Sequence, residues 1–106
     1  MKEVKIFNSK KEADDAVPGG KIKLLIIDGV KLGLARFEGK YFAFDNICPH
    51  QNEPLDKGML TKYGEVVCPL HFYRFNLTSG QETNNRCKAM DRYLIEIRKN
   101  GVFIKV

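Results

Sequence analysis

The sequence has no run of about 18 apolar residues, the length a membrane-spanning helix needs. Its start, Met1-Lys2-Glu3-Val4-Lys5-Ile6-Phe7, lacks the apolar stretch of a secretory signal. A cytoplasmic address without membrane contact is therefore expected. Cysteine stops at three and histidine at two in 106 residues. So few cysteines, in odd number, exclude a disulfide scaffold and leave metal binding or catalysis as their better use. No Gly-x-Gly-x-x-Gly fingerprint is present, so a Rossmann-type nicotinamide or flavin site is not expected. Internal repeats, linkers and low-complexity stretches are also missing. What remains is ordinary for a globular protein, with 43% apolar and 29% charged residues. The length fits one domain over 1–106 with a modest core.

The 18 basic and 13 acidic residues give a net charge of +5. The excess sits at the two ends: residues 1–44 carry +3, residues 45–80 carry −1, and residues 81–106 carry +3. A nucleic-acid binder gathers its cations in a patch or along a helix. Here they alternate with apolar residues, as in Lys21-Ile22-Lys23-Leu24, the pattern of a strand with one wet face. No nucleic-acid partner is expected, although the charge can steer the chain toward an acidic protein surface.

Turn signals divide the chain into short strands. Asp28-Gly29, Glu38-Gly39 and Asn100-Gly101 each separate two apolar runs, and such pairs suit tight hairpins whose central residues take positive φ. One helix competes. Ser9-Lys10-Lys11-Glu12 has capping-box spacing, which predicts reciprocal bonds between the two side chains and each other's backbone N–H. That helix should run to about Ala16 and end at Pro18-Gly19-Gly20. Six or more strands and one short N-terminal helix make an all-β antiparallel sandwich or small barrel. The less regular stretch from about 46 to 85 holds the chemistry.

Both histidines and two of the cysteines fall in Cys48-Pro49-His50 and Cys68-Pro69-Leu70-His71. Each segment offers one thiolate and one imidazole, and together they supply four ligands suited to zinc or to iron–sulfur chemistry. Structural zinc sites commonly pair Cys with Cys and His with His along the chain. This chain alternates Cys, His, Cys, His, which suits a two-iron cluster with the cysteines on one iron and the histidines on the other. A zinc-stabilised interaction module stands as the alternative.

The residues around these ligands resemble the Rieske ferredoxins, especially the small ferredoxin components of bacterial oxygenase systems. The resemblance rests on Cys48-Pro49-His50-Gln51, Pro54-Leu55, Gly58, Cys68-Pro69-Leu70-His71, Phe75-Asn76 and Ser79-Gly80. It implies a Rieske-like β sandwich and one 2Fe–2S cluster, with Cys48 and Cys68 on one iron and His50 and His71 on the other through Nδ1. Two ferric ions, two sulfides and two thiolates with neutral imidazoles carry no net charge, whereas four thiolates leave a dianion. Reduction is thereby easier: Rieske potentials span about −150 to +300 mV, against about −400 mV for plant-type clusters.

High-potential members of that family carry an extra cysteine in each ligand loop. The matching residues here are Glu53 and Leu70, so no disulfide joins the loops. Those members also place a serine and a tyrosine where this chain has Tyr73 and Phe75. With fewer donors to the cluster sulfurs, a potential near −150 mV (roughly the bottom of the window) is expected. The stretch Gln81–Lys88 lacks the Gly-Pro found in a covering loop of many members, and Phe72 stands where glycine is frequent, which suggests a different backbone near His71.

Pro49 and Pro69 should stiffen the ligand loops, and Pro54-Leu55 and Phe72 should shield the cluster. Cys87 reads as a small buried hydrophobe, and Tyr41, Tyr63 and Tyr93 as packing residues.

A mononuclear oxygenase iron takes two further histidines and a carboxylate, and none remain. The resemblance therefore implies a monomeric carrier with no substrate site, between a flavin-dependent reductase and a terminal oxygenase. A Rieske-fold subunit of another redox complex, such as nitrite reductase, is the alternative.

Overall fold

A computed structural model describes residues 2–106. Among these described residues nine strands form: β1 (Glu3–Phe7), β2 (Ile22–Ile27), β3 (Val30–Phe37), β4 (Lys40–Asp45), β5 (Met59–Leu60), β6 (Glu65–Val67), β7 (Arg74–Asn76), β8 (Arg92–Arg98) and β9 (Gly101–Lys105). A helix, α1 (Lys10–Ala16), follows β1, and a 3-10 turn covers Leu55–Lys57. All pairings are antiparallel. The six-stranded sheet has the order β1-β9-β8-β4-β3-β2, and β5-β6-β7 make a smaller sheet. The all-β architecture with one short helix agrees with the sequence. Among the described residues no helix is long and apolar enough to cross a membrane.

Two hairpins follow their turn signals. Asp28 and Gly29 take φ of 51° and 82°, and Glu38 and Gly39 take 52° and 76°, as type I′ turns require. The third differs. Arg98 pairs with Gly101, so Lys99-Asn100 make the turn and Gly101 begins β9. Gly101 (φ 149°) is needed there for contact: a Cβ would stand 2.7 Å from the Phe7 carbonyl oxygen of the neighbouring strand.

The helix starts where its cap predicts. Ser9 Oγ accepts the Glu12 N–H at 3.1 Å, a bond worth about 1 kcal/mol to such a helix. The other half of the box lands one residue away, since Glu12 accepts the backbone N–H of Asn8 at 3.3 Å. Strand periodicity then divides the interior. Along β3, Leu32 and Leu34 face a core with Phe7, Ala13, Val17, Tyr41, Ala43, Val102 and Ile104. Ala35 of β3 and Phe44 of β4 face the opposite core, with Cys48, Leu55, Val66, Cys68, Phe75, Leu77 and Met90. The large sheet thus presents one face to the helix and the other to the small sheet that carries the second cysteine.

Candidate metal centre

The first ligand loop leaves β4 and is closed by backbone bonds. Cys48 N–H donates to the Glu53 carbonyl at 2.8 Å, Asn52 N–H donates to the Cys48 carbonyl at 2.8 Å, and Ile47 bridges Pro54. Buried Asn46 anchors its base: its Oδ1 accepts the Asp56 N–H at 2.8 Å and its Nδ2 donates to Asp56 Oδ1 at 2.6 Å. The second loop is the β6–β7 connection. Cys68 N–H donates to the Tyr73 carbonyl at 2.8 Å, so both loops close by the same bond, from the cysteine amide to the carbonyl five residues on. His71 and Phe72 take positive φ of 64° and 56°.

The four candidate ligands gather as two like pairs. Cys48 and Cys68 are fully buried and unbridged. Burial raises the Cys68 thiol to about 11; a backbone N–H of Leu70 pulls it down and the adjacent Cys48 thiol pushes it further up. The imidazoles of His50 and His71 stand 5.4 Å apart between centroids. His50 is half-buried and His71 exposed. The Nδ1 of His50 is the one buried side-chain nitrogen or oxygen without a hydrogen-bond partner among the described residues. A buried imidazole nitrogen left without a partner is costly, and a metal ion satisfies it. A two-iron cluster of this ligation takes a thiol pair on one metal and an imidazole pair on the other. The donor set fits the cluster.

Sequence reasoning missed what surrounds His50. The Tyr73 ring stacks on its imidazole, 3.7 Å away and 13° from parallel. The Arg86 guanidinium lies over the Tyr73 ring at 3.7 Å. Two groups at that height over one ring must occupy opposite faces, so the order is Arg86, Tyr73, His50. Buried Glu82 holds Arg86 through Oε1 to Nε at 3.2 Å and Oε2 to Nη2 at 2.8 Å, and accepts the backbone N–H groups of Asn84 and Arg86. The Arg86 guanidinium, helped by those amides against burial, lowers the Glu82 carboxyl to about 2. The stretch without Gly-Pro therefore does reach the site. Its only sequence signal was the Glu82/Arg86 spacing of four, common on any surface.

Other expectations need correction. Phe72, expected to shield the cluster, is 72% exposed and lines the same groove as Cys68. It edges a shallow groove of about 200 Å³ with Lys57, Met59, Val67 and Pro69. Tyr63, also 72% exposed, is not a packing residue. Tyr41 is buried and donates to Asp14. Leu55 is fully buried, and Cys87 is half-buried against the same core. Burial raises the Cys87 thiol, the opposite of an activated cysteine.

A family model described as the Rieske [2Fe-2S] domain matches residues 9–97. The ferredoxin component of the alkene monooxygenase system of Xanthobacter autotrophicus is 32% identical over 71 residues, which span 67% of this chain and 58% of that protein. The ferredoxin component of the naphthalene 1,2-dioxygenase/salicylate 5-hydroxylase systems of a Ralstonia species is 29% identical over 93 residues, 87% of this chain and 88% of that one. Among solved structures, the ferredoxin of carbazole 1,9a-dioxygenase from Nocardioides aromaticivorans superposes with a TM-score of 0.81 at 23% identity, covering 98% and 97% of the two chains. A complex of reduced oxygenase and oxidized ferredoxin in carbazole 1,9a-dioxygenase matches with a TM-score of 0.80 at 20% identity, over 96% of this chain and 91% of that one.

Proposed function

The chain belongs to the Rieske [2Fe-2S] domain family, and from that membership we propose that it is a one-electron carrier whose 2Fe–2S cluster is held by Cys48 and Cys68 on one iron and His50 and His71 on the other. The observation that carries this reading is the arrangement of the donors: a buried thiol pair, an imidazole pair 5.4 Å apart between centroids, and a His50 Nδ1 without a partner. The bound cluster supplies reversible uptake of a single electron. The protein's own part is to fix the loops by the paired cysteine amide bonds, keep water from the thiols, and bring one imidazole, His71, to the surface.

With both histidines of the chain in this role, none is left for a mononuclear oxygenase iron. The carrier reading therefore includes no substrate site of its own. Relatives named as ferredoxin components of oxygenase systems support a terminal oxygenase as the downstream partner, and the upstream partner of this proposal is a flavin-dependent reductase. The carrier acts as a monomer in brief encounters of small buried area. Its +5 charge favours acidic partner faces, so encounter rates fall as salt rises. All four donors present together favour this carrier over a structural subunit of a nitrite reductase.

The deciding experiment is EPR of the dithionite-reduced protein purified without oxygen. The signal of a 2Fe–2S cluster with mixed cysteine and histidine ligation is expected. A colourless protein with one zinc per chain would overturn the reading.

A further inference from the structure

Cluster binding does not account for the layers over His50, and packing of Tyr73 against the second core does not explain why Arg86 lies over its ring. Tyr73 belongs to the second ligand loop yet covers the imidazole of the first. Arg86 comes from a third loop and lies flat on Tyr73, although an exposed arginine is free to extend into water. Glu82, 1% exposed, holds it there through both carboxylate oxygens. A buried, doubly bonded carboxylate is a demanding way to place one surface cation. His71 has no such cover and stands exposed.

We propose that Tyr73 and Arg86 are positioning residues for His50, a two-layer splint, clamped by Glu82, that fixes the plane of this imidazole toward the cluster and makes the two histidines unequal, one held and one free. The inference rests on the carrier reading above, because it takes His50 to be a ligand. Its physical content is rotational. An imidazole bound through one nitrogen can turn about that bond, and a parallel ring at 3.7 Å removes the freedom. The guanidinium on the far face holds the phenol in turn. Arg86 also balances the Glu82 carboxylate. Without it a buried negative charge is left near the cluster, and an added electron is disfavoured.

The test uses the cluster-loaded protein and four variants: Tyr73→Phe, Tyr73→Leu, Arg86→Lys and Arg86→Gln. Pulsed EPR of the reduced state reads the nitrogen couplings of the two histidines, and a mediated titration reads the midpoint potential. Tyr73→Phe keeps the ring and should match the wild type in the nitrogen couplings. Tyr73→Leu should change one histidine coupling and leave the other. Arg86→Gln should change the same coupling less and lower the potential. Arg86→Lys keeps the charge without the plane, so it should reproduce the coupling change with a smaller potential shift. Wild-type couplings in Tyr73→Leu at full iron content would overturn the splint. Should that variant fail to hold its cluster, unchanged couplings in both Arg86 variants would overturn it equally. A wild-type protein without the mixed-ligand signal would instead sink the carrier reading.

Discussion

Gly58 shows how closely the two ligand-bearing halves of the site approach. It follows the 3-10 turn after the first ligand loop, with its N–H bonded to the Leu55 carbonyl at 3.0 Å. A Cβ at this position would stand 1.8 Å from the carbonyl oxygen of Val67, the residue before Cys68. Heavy atoms not bonded to one another do not approach a Cβ within about 3 Å, so Gly58→Ala requires a movement of about 1 Å. The obstacle is backbone of the small sheet, which cannot rotate aside. Overpacking of this kind costs about 1–3 kcal/mol, or about 5–20 °C of thermal midpoint for a chain of this size. The movement falls on the strand leading into Cys68, so iron content should drop along with stability. Gly29→Ala is the control: a Cβ there meets nothing within 4 Å, and only its φ of 82° opposes the substitution, for about 1 kcal/mol. Melting followed by far-UV circular dichroism, with iron assayed per chain, compares the two. A Gly58→Ala protein that melts with the wild type and holds full iron would refute the contact argument.

Phe72 is exposed at a φ of 56°, so Phe72→Gly should leave stability unchanged or raise it by up to about 1 kcal/mol; a clear loss in urea unfolding would mean that the ring packs after all. Glu82 is lowered to about 2 from 4.5. A depressed carboxylate stabilises the fold above its unfolded value, and the gain fades as pH falls from about 4.5 toward 2. Stability of the wild type should therefore decline over that window by about 1–2 kcal/mol more than that of Glu82→Gln, a figure discounted because Arg86 faces solvent; parallel acid-unfolding profiles would contradict it. Cys68→Ser should yield iron-free protein and Cys87→Ser a fully loaded one, both read by iron assay, and loss of iron from the second would redraw the ligand set.

The fold was legible where local chemistry decides the outcome. The Asp28-Gly29 and Glu38-Gly39 turns and the Ser9 cap need only their own residues to specify them. Gly101 was misread because its requirement comes from β1, nearly a chain length away in sequence. The same distinction governs the site. The spacing of Cys48, His50, Cys68 and His71 marked the candidate metal centre because a donor set is written into residue type. The stack over His50 was not legible, since Tyr73, Arg86 and Glu82 acquire their roles only through contacts among three loops. The exposure of Phe72 was equally hidden, because it depends on a left-handed backbone that residue type does not announce.

The two loops also explain why near-repeats in sequence give unequal histidines. Each closes by a bond from the cysteine amide to the carbonyl five residues on, so each encloses the same length of chain. In the first the histidine is two residues after the cysteine; in the second it is three. The fourth residue takes positive φ in both, as Asn52 and Phe72, but the second loop adds positive φ at His71 itself. Asparagine tolerates that conformation well, and phenylalanine does so poorly. In a loop of equal length, the one-position-later histidine therefore falls on the left-handed part of the turn, where His71 stands exposed, while His50 precedes that part and lies under Tyr73. The asymmetry between the imidazoles is a consequence of loop arithmetic, and the Arg86 layer builds on the side that the shorter spacing had already turned inward.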